Sequence, residues 1–132
     1  MDDCVFCKIV KREIPAALIH EDELSLAFLD VNPVNFGHTL LIPKDHHRAM
    51  VNVPDELLGE LYKTAKRLML AVREGTKADY VALSVVGVDV PHFHIHLIPR
   101  FFNDGLAGFW PTKKYDDNNL NKFAEQIRAR VI

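Results

Sequence analysis

The chain lacks the features that mark several large protein classes. It carries a formal net charge of −2 over 132 residues, and no Lys/Arg cluster offsets that charge. The electrostatic footprint of a protein that binds DNA or RNA is therefore missing, and any nucleotide partner should be small. No apolar run approaches the length of a membrane span. The N-terminus has no basic segment followed by an apolar one, so we expect no secretory signal peptide, no membrane partner and a cytoplasmic location.

Three common enzyme signatures are also absent. The sequence has no Walker-type glycine loop and no G-x-G-x-x-G segment, which argues against a P-loop or dinucleotide-binding protein. It has no G-x-S-x-G elbow, so a serine hydrolase of that type has no support.

Cysteine is scarce, and the two that occur are close together. Cys4 and Cys7 form a C-x-x-C spacing. In a reducing compartment this spacing indicates metal or redox chemistry rather than a structural disulfide. The redox form normally follows a strand in a βαβ unit, and no strand precedes Cys4. The metal interpretation is therefore favoured.

The remaining composition is that of an ordinary globular protein, with 48% apolar and 26% charged residues. Its length predicts one domain over residues 1–132. A helical stripe of Leu57, Leu61, Ala65, Leu68 and Val72 indicates a packing face. The patterns predict an α+β domain around a mainly antiparallel sheet. The expected helices are residues 4–13, residues 54–74, which run from Pro54 to Glu74 with Gly75 after the end, and a C-terminal helix with Leu120, Phe123, Ile127 and Val131 on one side. The expected strands are 17–21, 24–30, 38–42, 79–87 and 92–100. A glycine-rich stretch spans 103–111.

Three histidines alternate along the last predicted strand. In an extended backbone His92, His94 and His96 project to one face, while the apolar residues between them project to the other. Such a row can bind a metal, supply a nucleophile with helpers, or form structural hydrogen bonds, and the residues alone leave these roles open. We expect His20 and His38 to be structural and His47 to lie on the surface.

This row resembles the signature of the histidine triad (HIT) family, and the similarity extends over nearly the whole chain. It is closest to the nucleoside-phosphoramidate hydrolase branch. The segments that carry it are His92–Ile98 with Pro99-Arg100, Phe6-Cys7-Lys8-Ile9, Ile14-Pro15-Ala16, Ala27-Phe28-Leu29-Asp30 and Gly37–His46.

The resemblance implies a mechanism. His94 would attack the α-phosphorus of a purine nucleoside phosphoramidate or similar conjugate and form a nucleotidyl-histidine, which water hydrolyses to the nucleoside monophosphate. His96 would donate to the phosphoryl oxygens or the leaving group. The family's transferase branch has Gln in place of His96, so hydrolysis is expected here.

The resemblance also implies a structural zinc ion. Family members with an N-terminal C-x-x-C bind zinc, and the corresponding residues are Cys4, Cys7, His46 and His92. A Cys2His2 set is closed and leaves no position for water, as structural zinc requires.

A nucleotide pocket follows from the same similarity. Asp30 would accept hydrogen bonds from the ribose, and Leu29 and Val31 would lie beside the base. The base would be sandwiched by Val5, Phe6, Ile9 and Phe28.

The sequence departs from the family immediately before the triad. Gly87-Val88-Asp89-Val90-Pro91 replaces the usual Gly-Gln-Ser/Thr-Val-x. Val88 removes an amide, and Asp89 places a carboxylate where a hydroxyl normally meets the phosphate, which is unfavourable unless that carboxylate is protonated, turned away or paired. Backbone N–H groups of 88–90 could still bind phosphate, and Ser84 is the nearest upstream polar candidate.

The family fold implies a five-stranded antiparallel sheet with one long and one C-terminal helix, in a homodimer joined through the long helix and its neighbouring strand. Two alternative functions are also compatible with the sequence. One is a dinucleoside polyphosphate hydrolase that uses the same His94. The other is a nucleotide-binding or zinc-dependent interaction protein with weak catalysis.

Overall fold

Five antiparallel strands form the centre of the molecule. The computed structural model describes residues 3–107 and 110–132. The strands lie in the order β1-β2-β3-β5-β4, which confirms the α+β class. The elements in chain order are α1 (Val5–Val10), β1 (Leu18–Glu21), β2 (Ser25–Leu29), β3 (Thr39–Pro43), a 3-10 helix (Met50–Asn52), α2 (Asp55–Thr76), β4 (Tyr80–Ser84), β5 (Ile95–Arg100) and α3 (Asn119–Arg128).

The period-two pattern of the strands divides the core into two layers. On one face α2 packs against alternate strand residues, among them Leu41, Ile95 and Leu97. On the other face α1 covers their neighbours, including Leu40 and Ile42. The central strands β2 and β3 therefore bury both of their faces. The three histidines of the triad lie on the α1 side of the sheet.

The helix α1 is shorter than the predicted 4–13, because the backbone turns at its end. Arg12 adopts a positive φ of 64°, which a helix cannot continue through. Its guanidinium pairs with Glu21 of β1, whose other oxygen lies 2.8 Å from Lys44 Nζ. These ion pairs connect the end of α1 to the sheet.

The histidine strand also begins later than predicted, at Ile95 rather than His92. The Phe93 N–H donates to the His47 carbonyl at 2.6 Å and the His92 N–H to the Val90 carbonyl at 2.9 Å, so this backbone bonds to loops. The paired strand β4 correspondingly ends at Ser84, which is opposite His96. The prediction of a strand through residue 87 is therefore wrong at its end.

The long helix α2 agrees with prediction in its buried stripe, since Leu61, Ala65, Leu68 and Val72 are all buried. Its end differs, because Gly75 lies inside the helix. Lys77 ends it in the left-handed conformation, with its N–H bonded to the Arg73 carbonyl.

The C-terminal helix is present as α3, but its apolar side is exposed: Leu120, Phe123 and Ile127 are between 46% and 66% accessible. Val131 lies beyond its end. Residues 108 and 109 of the predicted glycine-rich stretch lie outside the described residues. Among the residues that are described, no helix has the length and apolarity needed to cross a membrane.

Candidate active site and metal centre

Four potential metal ligands converge where α1 meets the sheet. Cys4, Cys7, His46 and His92 place their ligand atoms within 4.8 Å of one another. Cys4 Sγ lies 3.3 Å from His92 Nδ1, and Cys7 Sγ lies 3.3 Å from His46 Nδ1 and 3.5 Å from His92 Nδ1. The edges of a tetrahedral zinc site with mixed S and N ligands are about 3.5 Å long, as follows from its bond lengths. The cluster therefore has the size of a zinc site.

The surrounding hydrogen bonds also fit a metal. His92 Nε2 donates to the Pro43 carbonyl at 2.9 Å, which leaves Nδ1 unprotonated and available as a ligand. The Cys7 N–H donates to Cys4 Sγ at 3.3 Å. Without a metal, burial and the neighbouring Cys4 raise the pKa of the Cys7 thiol to about 11. A divalent cation would offset that cost, because coordination deprotonates a thiol.

The next histidine, His94, is fixed in the opposite orientation. Its Nδ1 lies 2.7 Å from the His92 carbonyl, which can only accept, so Nδ1 carries the proton. The lone pair is then on Nε2, and no hydrogen bond occupies Nε2 among the residues that the structure describes. The side chain is 2% exposed and packs edge-on to Phe6 at 5.1 Å. A neutral imidazole held in this way has the form of a nucleophile.

The third histidine, His96, is oriented by His38. The Val34 N–H donates to His38 Nδ1 at 3.1 Å, so neutral His38 carries its proton on Nε2. That Nε2 lies 2.9 Å from His96 Nδ1 and donates to it. His96 must then carry its own proton on Nε2, where it can be donated to a bound oxygen.

Burial keeps both members of this pair neutral. It lowers the pKa of His38 and of His96, and the neighbouring His94 lowers that of His96 further. Asp30 Oδ2 lies 3.7 Å from His38 Nε2, close enough to orient the pair electrostatically. Asp30, His38 and His96 each have a ligand atom within reach of a common metal ion. However, His38 Nε2 and His96 Nδ1 are 2.9 Å apart, and this separation indicates a hydrogen bond between the two rings.

A cleft of about 330 Å³ opens in front of these histidines. Phe6 and Phe28 meet in it at 5.5 Å in an edge-to-face arrangement. A mostly apolar wall with a few convergent polar groups is typical of a small-molecule site. The predicted residues that line it are Val5, Phe6, Ile9, Phe28, Leu29, Asp30, Val31, Asp89, Val90, His94 and His96.

Two predicted binding residues are placed elsewhere. Val88 is 87% exposed and does not line the cleft. Ser84 pairs with His96 in the sheet, and its side chain is likewise not part of the lining. Their role in phosphate binding stays a prediction.

Asp89 lies directly beside the predicted nucleophile. Its Oδ1 is 3.6 Å from His94 Nε2 and accepts the Val90 N–H at 2.9 Å. The backbone hydrogen bond from Val90 lowers the pKa of Asp89. The carboxylate is therefore ionised at neutral pH and is not turned away.

Sequence reasoning missed several residues of the site. His38 was expected to be structural, yet it is 3% exposed and orients His96. Its position one residue before β3 was the available signal, because β3 is paired with β5. His20 bonds to Asp22 at 3.1 Å, and His47 is half-buried rather than fully on the surface. The further lining residues are Ile14, Pro15, Ala16, Asn32 and Leu40.

Comparison with known proteins gives consistent matches over most of the chain. The family model for the HIT domain matches residues 11–103. Adenosine 5'-monophosphoramidase HNT1 of Saccharomyces cerevisiae is 38% identical, over 97% of this chain and 82% of that protein. A crystal structure of a HIT family member from Bacillus subtilis superposes with a TM-score of 0.87 at 33% identity, covering 98% of each chain. A zinc-bound histidine triad family protein from Mycobacterium smegmatis gives a TM-score of 0.76 at 32% identity, covering 98% of this chain and 99% of that one.

Proposed function

This chain belongs to the HIT domain family, and we propose that it is a nucleotide hydrolase that cleaves purine nucleoside phosphoramidates or related conjugates. His94 is the nucleophile, the intermediate is a covalent nucleotidyl-histidine, and the product is the nucleoside monophosphate. The name of the yeast relative, a monophosphoramidase, supports this substrate class.

The observation that carries the proposal is the hydrogen bond from His94 Nδ1 to the His92 carbonyl, 2.7 Å long. It fixes the tautomer that has a lone pair on Nε2, in a cleft of suitable size for a small ligand. An imidazole that only packed in the core would not need its second nitrogen to face a cleft.

The reaction proceeds in two displacements. In the first, His94 Nε2 forms a bond to the α-phosphorus and the bond between phosphorus and the leaving nitrogen breaks; the nitrogen keeps the electron pair and leaves as the amine after protonation from solvent. In the second, a water oxygen bonds to phosphorus, the Nε2–P bond breaks, its electron pair returns to Nε2, and the water proton passes to solvent. His96 Nε2–H donates a hydrogen bond to a phosphoryl oxygen in both steps.

The nucleotide binds in the cleft described above. Its apolar wall, including Phe6 and Phe28, receives the base, and a purine presents the larger ring face to it. Asp30, at the end of β2, accepts hydrogen bonds from the ribose hydroxyls.

Zinc is the metal that the Cys2His2 donor set favours. Cys4, Cys7, His46 and His92 would hold it, and it would supply a fixed link between α1 and the segment that carries His94, without touching substrate. Reduced thiolate ligands are consistent with a cytoplasmic protein. The size and donor chemistry of the cluster, and a zinc-bound neighbour of the same fold, support this assignment.

We also propose a homodimer that uses α2 and the neighbouring edge strand β4. The position of β4 at the end of the sheet order supports this interface. Light scattering after gel filtration should give twice the mass of the chain, and a monomer at micromolar concentration would contradict it.

A fluorogenic adenosine phosphoramidate tests the function directly. We expect release of the fluorescent amine together with stoichiometric adenosine monophosphate, and little cleavage of dinucleoside polyphosphates. Preferential cleavage of dinucleoside polyphosphates would replace the proposal by that alternative. Nucleotide binding without any cleavage would indicate a binding protein.

A further inference from the structure

Asp89 is an unusual neighbour for a nucleophile that attacks an anionic phosphate. Its carboxylate is 69% exposed and lies 3.6 Å from His94 Nε2. Taken alone, an anion at this position repels the substrate. An attraction between the carboxylate and another part of the substrate would offset this repulsion.

The cavities around Asp89 indicate which part of the substrate its carboxylate meets. Asp89, Val5 and Val90 line the nucleotide cleft and also a second cavity of about 500 Å³ next to it. The acidic and basic side chains that line that second cavity are Asp3, Asp89 and Arg48, and two of the proposed metal ligands, Cys4 and His46, line it as well. With these two metal ligands set aside, the wall holds two carboxylates and one guanidinium, so it carries an excess of negative charge.

We propose that the second cavity receives the leaving group, and that Asp89 selects leaving groups that carry a positive charge. The inference rests on the proposed function, because it assigns a subsite to the same reaction. The relevant substrate class is the phosphoramidate of a diamine or of another cationic amine, as opposed to an anionic leaving group such as a second phosphate chain.

The distance between Asp89 and His94 sets an upper limit on the distance between the Asp89 carboxylate and the leaving nitrogen. In a near-attack arrangement phosphorus is about 3 Å from Nε2 and the leaving nitrogen roughly 5 Å away. The carboxylate is 3.6 Å from Nε2, so the leaving nitrogen departs within about 9 Å of it, which is comparable to the Debye length at physiological salt. Asp89 therefore senses charge on the leaving nitrogen itself, and it senses charge at the far end of the leaving group when that group lies in the second cavity, which Asp89 also lines.

The negative charge of Asp89 also assists the cleavage of the P–N bond itself. The bridging nitrogen leaves as an amine once it has been protonated, and a nearby carboxylate stabilises that cation. Cleavage of a P–O–P bond instead places developing negative charge on the departing oxygen, which the carboxylate destabilises. Asp89 thus favours the proposed substrate class over the dinucleoside polyphosphate alternative.

Three adenosine phosphoramidates of matched length test this inference, made with putrescine (cationic), butylamine (neutral) and γ-aminobutyrate (anionic). For the unmodified protein we expect kcat/KM to fall in that order, by about threefold to tenfold per step at low salt. The steps should shrink as ionic strength rises.

The variant Asp89→Asn keeps the Oδ1 acceptor for the Val90 N–H and removes the charge. It should bring the three rates to nearly the same value, whereas the remote carboxylate variant Glu60→Gln should leave the order intact. Equal rates in the unmodified protein, or an unchanged order in Asp89→Asn, would overturn the assignment while leaving the proposed function standing. If none of the three substrates is cleaved, the proposed function and this inference both fail.

Discussion

His92 and His94 are two residues apart and both are buried, yet their rings are held in opposite ways. His92 donates from Nε2 to the Pro43 carbonyl and presents Nδ1 to two cysteines. His94 donates from Nδ1 to the His92 carbonyl and presents Nε2 to the cleft. The chemistry of each imidazole is therefore decided by which nitrogen a backbone carbonyl occupies, and not by its place in the sequence motif.

The two regions meet in a single residue. The side chain of His92 belongs to the Cys4/Cys7/His46/His92 cluster, which we call the metal cluster, and its carbonyl orients His94, the proposed nucleophile. We therefore expect changes in the metal cluster to affect mainly stability and changes in the cleft to affect mainly the reaction rate, with His92 coupling the two regions. Substitutions at three residues and a change of pH test that division.

The largest effect should come from His94→Ala. Removal of the proposed nucleophile should lower kcat by about a thousandfold or more, because none of the described residues that line the cleft is oriented to replace it. Zinc content, measured by elemental analysis, and nucleotide affinity, measured by calorimetry, should stay near those of the unmodified protein. Near-normal turnover would refute the assigned role, and loss of zinc would refute the division between the two regions.

Loss of a ligand of the metal cluster should lower the reaction rate less than His94→Ala does, and it should lower the stability more. Cys7→Ser should abolish zinc binding and lower the free energy of unfolding by several kcal/mol, as seen when a structural metal is lost. Turnover should fall by about tenfold to a hundredfold, because the His92 carbonyl is no longer fixed. Urea unfolding with parallel zinc analysis measures this, and His47→Gln, next to His46 but outside the metal cluster, is the matched control. Full zinc content in Cys7→Ser would contradict the ligand set.

The third change concerns the pair that orients His96. His38→Ala leaves His96 Nδ1 without its donor, so the proton of His96 is no longer confined to Nε2, and kcat should fall by about tenfold. In His38→Gln the amide nitrogen reaches the position of Nε2 and can donate, so this variant should recover most of the rate. Equal losses in the two variants would show that His38 only fills space.

The smallest effect is a dependence of stability on pH. Burial lowers the pKa of His38 and His96 in the folded state, so below about pH 6.5 the unfolded chain binds more protons than the folded one. The free energy of unfolding should therefore decrease as pH falls from 6.5, with a limiting slope of about 1.4 kcal/mol per pH unit for each histidine. Urea titrations at several pH values should show a shallower slope in His38→Gln, and an identical slope would contradict the assigned cause.

Strand β5 was predictable because its side chains alternate in period two, and β2 and β3 were predictable as short apolar runs bounded by turn residues. The helix α2 was predictable because its stripe is apolar at helical spacing. The residues at which the helices and strands end were less predictable. Lys77 in a left-handed conformation and the loop hydrogen bonds of His92 and Phe93 depend on tertiary contacts that no local pattern encodes.

The site divides in a similar way. The four residues of the metal cluster were assigned from a family resemblance, and the structure brings them together. His38 was missed, because its importance comes from a hydrogen bond to His96, which is remote in the sequence and lies on the strand paired with β3. The position of Asp89 beside His94 Nε2 depends on the turn between residues 85 and 91, which the sequence shows to be unusual without showing where it leads.

The most direct test of the central claim is to trap the intermediate. Acid quenching during turnover of an adenosine phosphoramidate, followed by peptide mass mapping, should find an adenylyl group on His94, and none on His92 or His96. The adduct should disappear in His94→Ala and should persist longer when water attack is slowed at low temperature. An adduct on either of the other two histidines, or release of product with no adduct at any quench time, would contradict the account.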